Sequence, residues 1–176
     1  MLWPRRRLFA LCLFFSMPAM AADSPENVLR AYVAMMQKDG VPAALARYTH
    51  PEECARYKAL FMPRIREGFE LGEDFSKNLL GEDFTLKQIE TMPPAEFLSK
   101  VMRRTRLEGS HVKPPRVVGS RREGDVVSLD TITNYTDMQG VAAQKRDTVK
   151  FKAYGDTWRL MLSREMDAYA IVLISK

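Results

Sequence analysis

At Pro114-Pro115 the apolar pattern of the chain changes period, and the change limits the kinds of fold open to it. Upstream, apolar residues recur every three or four positions, the spacing of one helix face. Downstream they alternate, the spacing of strands with one face buried. No low-complexity linker separates the halves. Helices first and close-coupled strands after predict one α+β domain, with N-terminal helices packed on a curved antiparallel sheet of about four strands.

Local signals place the helices. Ser24 can cap the first, Pro25 suits its first position and Gly40 follows its end; Val28, Tyr32, Met35 and Met36 share its apolar face. A short helix is expected from Pro42 to Tyr48. Thr49 with Glu52 fits a capping box opening a third helix. From there Phe61, Ile65, Phe69, Phe75 and Leu79 continue a helical stripe. Gly68 and Gly72 inside it imply close approach of a neighbouring element, because each costs about 1 kcal/mol relative to alanine. Thr85 with Gln88 is another capping box, ahead of LKQIETM. Pro93-Pro94 starts the last long helix, with Phe97, Leu98, Val101 and Met102 as its stripe and Gly109 as its stop.

Within this half the pentapeptide LGEDF occurs at 71–75 and again at 80–84, gathering Glu73, Asp74, Glu82 and Asp83. On one continuous helix, nine residues at about 100° each leave half a turn, so the copies would face opposite ways and hold no common metal. The spacing also lacks the alternating acids of a calcium loop. The first copy is expected inside a helix and the second at a helix boundary, with Phe75 and Phe84 as the buried parts.

In the second half RVVGSRR, VVSLDTITNY, DTVKFKAY and TWRLML read as strands. Glu123-Gly124-Asp125, Asp137 to Gly140 and Gly155-Asp156 are the turns between them. DAYAIVLISK at the C-terminus fits a strand or a short helix. Parity puts Val149, Phe151 and Ala153 on one face, with Trp158, Leu160 and Leu162 on another strand. Val127 and Leu129 lead along their face into Thr131, Thr133 and Tyr135. If that face is inner, it grades from apolar to hydroxylated, as suits a cavity with a dry floor and a polar mouth. The candidate ligand-binding residues are Tyr32, Thr131, Thr133, Tyr135 and Trp158.

Helices followed by EGDVVSLDTITNY and DTVKFKAYGDTWRLML resemble the nuclear transport factor two-like, or cystatin-like, superfamily of cone-shaped α+β folds. The segment Gly155-Asp156-Thr157-Trp158-Arg159-Leu160 is similar to a G-x-W-x-hydrophobic strand common in such domains. The resemblance spans residues 24–165. It implies a cone that binds a small apolar ligand, serves as a protein-interaction module, or houses isomerase, dehydratase or hydrolase chemistry. The helical segment between residues 50 and 108 departs from the family pattern, which has a short hairpin there.

Arg5, Arg6 and Arg7, the apolar run LFALCLFF and Ala19-Met20-Ala21 have the layout of a cleaved secretory signal peptide. The run is far shorter than the roughly 20 residues of a membrane helix. The expected mature protein is residues 22–176, periplasmic or secreted, without a stable membrane anchor. Losing those three arginines lowers Lys plus Arg from 27 to 24 against 22 acids, a net charge of +2. That balance argues against a nucleic-acid partner. Cys54 is the one cysteine left, so no internal disulfide forms and a homodimer stays open. One Cys and two His make no Cys/His metal cluster, and no metal or cofactor is expected.

Three constellations carry weaker chemistry. His50 and Cys54 lie i, i+4, but Glu52 and Glu53 oppose a thiolate, so a histidine in the cap region and a small buried cysteine are expected. Asp130 resembles the single carboxylate base of some cone enzymes, yet parity places it on the outer face as a cross-strand partner for Lys150 or Lys152. Lys100, Arg103, Arg104, Arg106, Lys113 and Arg116 are read as a solvated face pairing with the acidic 67–83 region. The expected function is an exported, non-catalytic domain binding a small apolar molecule or a protein partner; an enzyme using the cone as its active site is the alternative.

Overall fold

The computed structural model describes residues 23–104, 113–136 and 142–175. Ser24 accepts a hydrogen bond from the Asn27 N–H and starts α1 (Pro25–Asp39), and α2 (Val41–Tyr48) follows across Gly40. The next helices are α3 (Pro51–Leu71), α4 (Phe75–Leu80), α5 (Leu86–Thr91) and α6 (Pro94–Arg103). The Thr85–Gln88 capping box forms as expected, each side chain serving the other's backbone. The predicted continuation of α6 to Gly109 lies outside the described residues.

Four antiparallel strands run in the order β1 (Arg116–Glu123), β2 (Val126–Thr136), β3 (Ala142–Tyr154) and β4 (Thr157–Leu160). The fold class is therefore α+β with the helices first. The turn predicted at Asp137–Gly140 lies outside the described residues. The C-terminal segment is helical: α7 (Arg164–Ile174) turns Met166, Tyr169, Ala170 and Leu173 toward the core at helical spacing. Tyr57, Phe61 and Ile65 of α3 meet Phe97 and Leu98 of α6 and Leu129 and Phe151 of the sheet in a fully buried core. The aromatic rings pack in series, Tyr57 to Phe61 at 5.3 Å and Phe61 to Phe97 at 5.7 Å between centroids.

Two local expectations are overturned. The third helix is capped by His50, whose Nδ1 accepts the Glu52 N–H at 3.3 Å, and not by Thr49. Thr49 is held extended by a parallel bridge to Leu160, with the His50 N–H donating to the Leu160 carbonyl at 2.8 Å, so the helix begins one residue later. The first LGEDF copy is likewise a boundary. Gly72 (φ 70°) ends α3 just as Gly81 (φ 81°) ends α4, so both copies close a helix with a left-handed glycine. Gly72 serves that backbone conformation; the close approach is at Gly68, where a Cβ would stand 3.3 Å from the Phe75 Cβ.

Candidate functional site

Register sets the inner face of the sheet. Val127 faces Phe151, Leu129 faces Val149, Thr131 faces Asp147 and Thr133 faces Lys145. Val127, Leu129 and Thr131 are buried and Thr133 is half-buried, so the face grades from apolar to polar as expected.

The strands differ in length, and that difference makes the site. β4 pairs only with Phe151–Tyr154. The Met161 N–H still reaches the Lys150 carbonyl at 2.9 Å, and then the chain departs toward α7. No strand among the described residues pairs with the other edge of β3 between Ala142 and Val149. Between that edge, helices α1 and α2, and residues 160–166 lies a cleft of about 970 Å³. Its floor is Tyr32, Val41, Leu45, Thr131, Val149 and Leu160, all buried or half-buried. Its rim carries the exposed Asp130, Arg146, Asp147, Lys150, Arg164 and Glu165.

Of the five sequence-derived candidates, Tyr32 and Thr131 meet at this cleft. Burial pushes the Tyr32 hydroxyl up to about 12, and its ring sits edge-on to Tyr48 with centroids 6.0 Å apart. Thr131 donates its hydroxyl to the Asp147 carbonyl at 3.1 Å, which leaves only its lone pairs for a ligand. Thr133 lies farther along β2 and does not line the cleft. Trp158 stands opposite Ala153 near the β3–β4 turn, outside the cleft, with the Arg122 guanidinium 5.4 Å from its ring centroid. The side chain of Tyr135 lies outside what the structure describes.

Sequence reasoning passed over Val41, Leu45, Arg146 and Arg164. Alternation stops being apolar before Val149, so nothing in the pattern shows that β3 extends back to Ala142 or that its edge borders a cleft.

The weaker constellations resolve structurally. Cys54 is buried, and burial followed by the Glu53 charge raises its thiol to about 11, far from an active nucleophile. The His50 ring packs edge-on to Tyr154, with centroids 5.5 Å apart. Asp130 is exposed at the rim and accepts the Thr148 hydroxyl at 2.9 Å; its register partner is Thr148, not a lysine. Lys100 does pair with the acidic segment, 3.2 Å from Glu82, and Arg104 donates to the Asn78 carbonyl. Among the described residues no three His, Cys, Asp or Glu side chains gather to hold a metal, and no helix is long and apolar enough to cross a membrane. No family model, curated protein or solved structure matches the chain.

Proposed function

We propose that the protein is an exported, non-catalytic member of the cystatin-like cone group that binds a small apolar molecule in the cleft beside β3. The observation that carries this reading is the cleft's composition: a floor of Val41, Leu45, Val149 and Leu160, with hydroxyl and charged groups toward the opening. Small-molecule sites are concave, mostly apolar, and oriented by a few polar groups. Binding is favoured over catalysis because Tyr32 is the one titratable group on that floor, and a hydroxyl near 12 is a poor general base at neutral pH. Export rests on the arginine-led apolar leader and its Ala19-Met20-Ala21 site. N-terminal sequencing of protein from the periplasmic fraction or medium is expected to begin at Ala22 or Asp23.

Nile red, a neutral apolar dye, tests the pocket directly. Its fluorescence should rise with a one-to-one stoichiometry on titration into the wild-type protein. The rise should be lost in Val118→Trp, which adds bulk to the cleft wall at an exposed strand position. No fluorescence change, or an unchanged response in a folded Val118→Trp protein, refutes the small-molecule reading.

The edge of β3 favours a second reading, a protein partner that adds a strand there. Lys150 directs its carbonyl toward the β4 side, so by alternation Thr148, Arg146 and Gln144 present backbone groups to the same unpaired edge. Self-pairing of this kind predicts a dimer in sedimentation equilibrium that Thr148→Pro abolishes. A wild-type protein that stays monomeric across the concentration range removes the self-pairing form.

A further inference from the structure

The rim is not symmetric in how its charges are satisfied. Asp147 lies 3.1 Å from the Lys145 ammonium, and its carboxylate also accepts the Thr148 N–H at 2.9 Å. Asp130 accepts the Thr148 hydroxyl, and Glu165 accepts that of Ser163, which together with its own backbone N–H holds its carboxyl below the usual range. Each acid is thus engaged inside the protein. The cations Arg146 on β3 and Arg164 at the start of α7 line the same cleft and make no direct ion pair with a carboxylate among the described residues, Arg164 acting on Glu165 only at longer range. The two elements approach each other at this end, since Lys145 of β3 acts electrostatically on Glu165 of α7. From there the apolar floor runs past Val149 toward Leu160 and Leu45.

We propose that the ligand is an anionic amphiphile, its head group held between Arg146 and Arg164 and its hydrocarbon chain laid along Val149, Leu160 and Leu45. The inference rests on the small-molecule reading above and adds the chemical class. A guanidinium offers paired N–H donors that match either a carboxylate or a phosphate, so a free fatty acid and a lipid phosphate share the required chemistry. The tail supplies most of the affinity by leaving water, and the head supplies orientation and selectivity.

The test compares decanoate, decyl phosphate and decanol, three molecules with one tail, by isothermal titration into the mature wild-type protein at low ionic strength. At least one anion should bind about tenfold more tightly than the alcohol, the gain of a partly exposed charged pair. Whichever anion leads identifies the head as carboxylate or phosphate. The advantage should shrink toward unity at high salt and in Arg146→Gln/Arg164→Gln, while decanol binds that variant as it binds the wild type. Both arginines are exposed, so the variant retains the fold, which circular dichroism checks. Equal binding of alcohol and anions overturns the anionic head and leaves the apolar pocket standing. Binding of none of the three overturns both.

Discussion

Arg64 and Lys100 each hold two residues of one LGEDF copy. Arg64 is 2.6 Å from Glu73 and lies over the Phe75 ring at 4.7 Å; Lys100 is 3.2 Å from Glu82 and lies over the Phe84 ring at the same 4.7 Å. The third and fifth positions of the repeat therefore build the same clip twice, a cation shared by a carboxylate and an aromatic face. A double-mutant cycle on Lys100→Met and Phe84→Leu should give a coupling of about 0.5–1 kcal/mol in urea unfolding. Additive single mutants would contradict the clip. Cys54 gives a second prediction at this scale. Its folded thiol is raised to about 11 from an ordinary 9.0, so between those values the folded state keeps a proton that the unfolded state has lost. Stability must fall as pH climbs through that window, and Cys54→Ala should reduce the slope. The acids of the repeat were legible as residues that no metal would share. Of the two cations, Lys100 was legible in the sequence as a partner of the acidic segment, whereas Arg64 lies outside the basic cluster that the sequence singles out.

Between elements, the same glycine substitution should have different consequences at neighbouring sites. Gly72 and Gly81 end helices with φ of 70° and 81°, so Gly72→Ala and Gly81→Ala should each cost about 1 kcal/mol in denaturant unfolding. Gly68 is helical, and a Cβ there would press on the Phe75 Cβ at 3.3 Å. The helix propensity gained by Gly68→Ala offsets that contact, leaving a change near zero, and a loss as large as at Gly72 would contradict the assignment. Most elements could be read from sequence because caps, prolines and periodicity act locally: Ser24, Thr85 and Gly40 stand where expected. The exceptions are tertiary. The start of α3 moved because Leu160, distant in sequence, draws Thr49 into an extended bridge. The helical state of residues 164–174 was decided by packing on α3, where Arg56 meets Asp167 at 2.8 Å.

On the scale of the whole molecule, the cleft exists because a long β3 outruns a short β4 while the chain continues into α7 instead of completing the sheet. Parity found the inner face and, with it, Thr131, while the apolar stripe of α1 had singled out Tyr32. It did not find the opening, which depends on where pairing stops. Two other candidates, Thr133 and Trp158, lie outside the cleft, on either side of the stretch of sheet where it forms. The central claim is that this cleft holds an apolar ligand when the protein is isolated from its native compartment. Mass spectrometry of the organic extract from detergent-free mature protein tests it most directly, with folded Val118→Trp purified in parallel. A long-chain amphiphile near one equivalent in the wild type and absent from the variant is the predicted result. Wild-type protein that carries no organic ligand, or equal amounts in both proteins, would contradict the account.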